Sequence, residues 1–247
     1  MLVPTATGYG FALLLFRTAA LFMAAPILGA KVVPTRFRLA LSVAVAFAVY
    51  TGAGAPPVAP PDGLFGLAAD AATETAIGLA AGLGARWVLE AALAAGHAAG
   101  LAAGLGFSAL VDPFTGAESN AVSQTIFAVA QGMAVALGVH REAIVWLARA
   151  TEAFPLGAPL DVPSLAMRTV GLGVLSIGLS IRLAIPVMSA VIAGHAVMGI
   201  MNRMAPQLSL QSIGFSVAIL AGGLALYLAA PAAAELCARA AMQAFAG

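Results

Sequence analysis

The sequence predicts an all-α membrane protein, and three observations predict it. Hydrophobic residues make up 62% of the 247 positions and charged residues only 9%, where a soluble globular chain carries about 25% charged residues. Mean hydropathy is +1.02. Apolar stretches of helix length follow one another, separated by short breaks rich in proline and polar residues. Alanine is the commonest residue and there are 27 glycines, while runs of Leu, Ile and Phe are scarce. Small residues let helix backbones approach closely, and alanine is only weakly attracted to lipid. Such helices are suited to packing against other helices in a dense assembly.

In chain order, Tyr9 to Ala30 reads as the first apolar helix, interrupted by Arg17 and ending around Pro26 and Gly29. Residues 1–10 hold no Lys or Arg, so they do not form the basic start of a cleavable signal peptide. Lys31 to Arg38 is the densest basic cluster and is expected to face the cytoplasm. Leu39 to Ala55 is the second segment, and the prolines of 55–62 make a turn on the opposite side. Leu64 to Ala85 is the third. Asp70, Glu74, Gly78 and Gly82 recur every four residues and share one slowly rotating helical face. Gly96, Gly100 and Gly104 repeat that spacing, and each row is a small-xxx-small stripe suited to backbone contact. In a chain this rich in Ala and Gly the spacing also arises by chance.

Residues 106–124 break the pattern. Asp112-Pro113 stops a helix, because proline restricts the residue before it and lacks the N–H a helix interior needs. Thr115, Gly116, Glu118, Ser119 and Asn120 supply turn chemistry and a cap for a helix starting near Ala121. Bulky Phe107, Leu110, Val111 and Phe114 flank the break. Backbone of this mixed character between membrane segments is tolerated where protein buries it or where it lines an aqueous cavity. We therefore expect it to obstruct a pore, the competing reading being an ordinary surface loop. Beyond it, Ala121 to Val139 is apolar and His140 to Ala153 amphipathic. Phe154 to Pro163 forms a second proline-rich turn. Met167 to Met204 exceeds one span of roughly 20 residues, with Pro186 marking a bend. Ala205 to Gln211 is a polar elbow. Ile213 to Ala230 is the last strongly apolar helix, followed by an alanine-rich tail.

Several function classes are excluded by the residues alone. The net charge of +1 gives no electrostatic footprint for nucleic acid. Cys237 is the only cysteine, so neither an internal disulfide nor a cysteine metal cluster is available. No zincin motif, phosphate-cradling glycine loop or nucleophile elbow is present, so no enzymatic activity and no cofactor is expected. Arg17, Asp70, Glu74, Arg86, Glu90, Arg182 and Arg203 lie in apolar segments, where Arg or Asp costs roughly 2.5–3.5 kcal/mol at a span centre. Near-equal numbers of acids and bases favour pairing between helices or subunits over a proton relay. His97 and His195 have no His or Cys neighbour at ligand spacing and read as packed histidines. The row Met188, Met198, Met201 and Met204 reads as adaptable core. A small-molecule transporter would show repeated halves around broken helices, and the two halves here do not resemble each other. A membrane scaffold without any conduit stays open on this reading.

The stretch Gly199 to Gly223 is specific. Asn202, Arg203, Pro206, Gln207, Gly214 and Phe215 resemble, position by position, the C-terminal signature of the FliR family of flagellar export-gate subunits. Asp112-Pro113 with Gly116 is similar to that family's mid-chain loop. Phe154-Pro155-Leu156-Gly157 resembles its Phe-Pro-Leu-Gly turn, and Arg17, Pro26 and Gly29 fit its first segment. The likeness runs over essentially the whole chain. Two departures are Val139 between Gly138 and His140, and Ser209 where Asn is common. The injectisome homologue SctT is the alternative family branch.

The resemblance implies one subunit of a helical, funnel-shaped gate built with FliP and FliQ homologues and associated with FlhB and FlhA homologues. The gate sits in the bacterial inner membrane within the flagellar basal body and passes unfolded export substrates. It also implies bent helical hairpins, with residues 1–160 FliP-like and 161–247 FliQ-like. Residues Phe107, Leu110, Val111, Asp112, Pro113, Phe114, Thr115 and Gly116 are then the closed pore's plug. Assembly and packing fall to Arg17, Asp70, Glu74, the two glycine rows and Asn202, Arg203, Pro206 and Gln207.

Overall fold

The computed structural model describes residues 2–30, 33–52, 57–102, 121–204 and 211–246. All regular structure among them is helical: α1 (Leu2–Ala24), α2 (Thr35–Gly52), α3 (Leu64–Ala102), α4 (Ala121–Leu137), α5 (Val139–Ala153), α6 (Val162–Met204) and α7 (Gln211–Ala246). Three are long and apolar enough to cross a membrane, those over Thr5–Ala24, Leu64–Ala102 and Val162–Met204. The chain is thus an all-α membrane protein.

Two helices are longer than their sequence suggests. α3 runs through Gly96 and Gly100 for 39 residues, well past Ala85. α7 runs through Pro231 and the alanine-rich tail for 36 residues, well past Ala230. Alanine has the highest helix propensity, and buried packing offsets the roughly 1 kcal/mol that an interior glycine costs. At Gly96 a β-carbon would stand 2.6 Å from the Cα of Ser123 on α4, so the missing side chain is what lets those helices touch. α1 starts earlier than Tyr9 and ends at Ala24, where Pro26 and Gly29 shape the exit. Pro186 does not split α6.

The helices divide into two compact units. The first gathers residues 1–87, 137–173 and 240–247, and the second gathers 88–136 and 174–239. In the first, Phe11 of α1 meets Phe47 and Tyr50 of α2 edge-on, at 6.4 and 6.1 Å between ring centroids. α5 buries Val139, Ala143, Trp146, Leu147 and Ala150, a stripe at helical period. Trp146 lies against Phe245, 6.3 Å away. Arg38, within the basic cluster, turns inward on the loop before α2: its Nη2 donates to the carbonyls of Ala30 (2.6 Å) and Val33 (2.8 Å). Arg36 stays exposed. In the second unit Ala92, Ala95 and Ala99 of α3 are buried, as are Ile126, Ala130 and Ala134 of α4.

Candidate functional site

Within the first unit, ionisable side chains of α1 and α3 are gathered at the end of α5. Arg17 and Glu74 are both fully buried and paired, Nε to Oε2 at 2.6 Å. The guanidinium also donates from Nη1 to the carbonyl of Ala150 (2.8 Å) and from Nη2 to that of Phe154 (2.9 Å). Both carbonyls lie at the end of α5: that of Ala150 also accepts from the N–H of the capping residue Phe154 at 2.9 Å, and that of Phe154 stands just past the last turn. The other carboxylate oxygen, Oε1 of Glu74, accepts from the backbone N–H of Gly157 at 3.2 Å. One turn earlier on α3, Asp70 Oδ2 accepts from the hydroxyl of Tyr9 at 2.7 Å.

Local geometry explains why these residue types stand here. Gly157 has φ +72°, a left-handed conformation that side chains other than glycine rarely adopt. That twist turns its N–H toward Glu74, and Val58 approaches within 3.1 Å of where a β-carbon would be. Gly78, one turn beyond Glu74, lies so close to the carbonyl of Arg17 that no β-carbon fits. Gly82 would clash with the carbonyl of Leu21 and the methyl of Ala24, each at 2.8 Å. The row Asp70, Glu74, Gly78, Gly82 therefore faces α1 along its length, two carboxylates followed by two points of backbone approach.

A buried charge is costly unless paired and hydrogen-bonded, and here the guanidinium and carboxylate satisfy each other and three backbone groups. A relay carboxylate needs an open position for an incoming proton; both oxygens of Glu74 are engaged. The arrangement is an interhelical tie within one chain. Among the described residues no three His, Cys, Asp or Glu side chains gather to hold a metal.

The remaining sequence-derived positions are spread out. Gly96 and Gly100 are buried in the second unit. Asn202 and Arg203 are exposed at the end of α6. Gly104, Pro206, Gln207 and all eight plug positions, Phe107, Leu110, Val111, Asp112, Pro113, Phe114, Thr115 and Gly116, lie outside the described residues. Sequence reasoning missed Tyr9 and the backbone groups of Ala150, Phe154 and Gly157. Tyr9 stands two helical turns before Arg17 and carries no signal of its own, whereas the Phe-Pro-Leu-Gly turn was visible as a motif without its bond.

Residues 9–244 match the model of a protein family described as bacterial export proteins, family 1. The chain is also 30% identical over 210 residues to the flagellar biosynthetic protein FliR of Escherichia coli (strain K12), covering 84% of this chain and 79% of that protein. The match begins at Tyr9, encloses the Arg17–Glu74 tie and ends at Ala244, in the last turn of α7. This chain belongs to family 1 of the bacterial export proteins.

Proposed function

We propose that the chain is a core subunit of the flagellar type III export gate, forming with FliP and FliQ homologues the inner-membrane channel for unfolded substrates. The observation that carries this is the family match over 9–244, inside which the motifs from Arg17 to Phe215 fall in family order. The flagellar branch is favoured over the injectisome because the curated relative is a flagellar protein. On this reading residues 1–160 are FliP-like, 161–247 are FliQ-like, and 106–124 plug the closed pore. FlhB and FlhA homologues dock on the assembled gate within the basal body. Energy comes from elsewhere, as no nucleotide motif is present, and the chain acts by holding a path rather than by catalysis.

Exposed apolar side chains support a multi-subunit assembly. On α2 alone Phe37 and Phe47 are each 60% exposed, an apolar face that a neighbouring subunit or lipid has to cover. Co-purification with tagged FliP and FliQ homologues, followed by particle imaging, tests the assembly; a chain that enters membranes and captures neither refutes it. Deleting Val111 to Glu118, or exchanging Phe114 for Asp, is expected to raise ion leakage by hydrating an apolar constriction. Parental conductance in an assembled gate would return the loop to an ordinary surface role.

A further inference from the structure

Residues 57–63, which lead into α3, are fastened to three elements of the first unit. Three of the seven are proline, each with φ held near −65° and no N–H to give, so the segment is stiff. Near its start the N–H of Val58 donates to the carbonyl of Ala6 on α1 at 3.3 Å. Near its end the ring of Pro61 sits over Gly66 of α3, where a β-carbon would stand 2.8 Å from the proline Cβ. Gly63, at φ +130°, then turns the chain into α3, its carbonyl accepting from the N–H of Leu67 at 3.2 Å. The third fastening is the side chain of Val58, whose Cγ1 lies 3.1 Å from where a β-carbon on Gly157 would be.

That contact lies over the Arg17–Glu74 joint. Around the same missing β-carbon stand Cδ1 of Leu13 at 3.5 Å and Oδ2 of Asp70 at 3.8 Å. The segment, α1, α3 and the turn after α5 therefore meet within 4 Å of one point. Gly157 is also the residue whose N–H holds Oε1 of Glu74. Burial falls off along α3, from the fully buried Glu74 to the half-buried Asp70. Arg17 is wholly engaged by Glu74 and two carbonyls, and among the described residues Asp70 is hydrogen-bonded by the hydroxyl of Tyr9 alone. A carboxylate with one neutral donor and free lone pairs is where water enters such a cluster. What stands there instead is the aliphatic, half-buried side chain of Val58, carried between the exposed Pro57 and Pro60.

We propose that residues 57–63 are a latch on this joint: the strap holds Val58 over Asp70 and Gly157, and Val58 keeps water from the carboxylates beneath. Lifting the strap withdraws the aliphatic cover and admits water first to Asp70, then to the Gly157–Glu74 bond. An ion pair that is hydrated attracts far more weakly than one in a dry interior, so the tie between α1, α3 and the end of α5 slackens with it. The prolines make the strap act as one piece, whereas a glycine-rich connection would absorb a displacement without passing it on. The segment before α3 thus sets whether three helices stay tied. The proposal is independent of what the assembly conducts.

Carboxyl labelling of the full-length chain, kept with its co-purifying subunits in detergent, tests the latch. A water-soluble carbodiimide couples glycine ethyl ester to carboxylates that water reaches, and mass spectrometry compares Asp70 with Asp62 on one peptide. Asp62 is exposed and serves as the reference. In the parent, Asp70 should label severalfold more slowly than Asp62. Val58→Ala should raise Asp70 labelling severalfold and speed amide exchange at Gly157. Pro60→Gly combined with Pro61→Gly, which leaves Val58 in place, should give a smaller rise of the same kind. Equal labelling of Asp62 and Asp70 in the parent overturns the proposal, as does parental labelling of Asp70 in the Val58→Ala chain. Parental labelling in the proline variant also overturns it, because Val58 would then be held by the joint and not by the strap. A rise that comes only with faster amide exchange across Ala143–Leu147 of α5 overturns it too, since the whole unit would have loosened.

Discussion

Arg17 and Arg182 are the same residue type in helices of similar composition, and they are accommodated in opposite ways. Arg17 is fully buried, with all of its guanidinium nitrogens engaged by Glu74, Ala150 and Phe154. Arg182 is exposed on α6 with no partner among the described residues. A cation taken out of water is stable only if its surroundings replace the lost hydration. In the first unit the fold does so with a carboxylate and two helix-end carbonyls. On α6 no described residue does so for Arg182. A buried charge in an apolar helix thus marks a joint between helices, whereas an exposed one leaves no such mark in the fold.

The largest effect that could break this comparison is at the buried pair. Arg17→Leu should destabilise the protein by about 3–5 kcal/mol, because it strands a buried Glu74. Arg17→Met combined with Glu74→Leu should recover most of that loss. Thermal unfolding in detergent reads both, and a double variant no better than the single would refute the pairing. Next, Gly78→Ala should cost about 1–3 kcal/mol by forcing α1 and α3 apart, measured in the same assay. Tyr9→Phe removes only the hydroxyl that Asp70 accepts, and a loss of about 1 kcal/mol is expected. Smallest, and of opposite sign, Gly178→Ala on α6 should stabilise by up to about 1 kcal/mol, since nothing lies within 4 Å of the added methyl. Equal losses at Gly78 and Gly178 would mean that the glycine row on α3 is incidental.

Much of the first unit's joint could be read from sequence. The four-residue spacing from Asp70 to Gly82 placed two acids and two glycines on one helical face, and an arginine within α1 demanded a partner. Which acid it takes could not be read, because that depends on the offset between α1 and α3, set by the close approach at Gly78. The carbonyls of Ala150 and Phe154 and the N–H of Gly157 were invisible for a different reason: every residue has such groups, and only the fold selects among them. Helix ends were misjudged at Ala85 and Ala230 because glycine and proline are local breakers, while close packing acts at a distance. Pro-Gln and Asp-Pro, the most family-specific dipeptides in the sequence, lie outside the described residues.

The tie at Arg17 also has a consequence in time. Its acidic partner lies 57 residues downstream and its last acceptor, the carbonyl of Phe154, 137 residues downstream. A ribosome delivering this chain to the membrane releases α1 with an uncompensated cation long before either arrives. The first segment must therefore wait in a hydrated or translocon-sheltered setting, and a nascent chain halted short of residue 74 holds an α1 that cannot settle. Seating of the amino-terminal helix is an event of late synthesis, completed only once the turn after α5 has emerged.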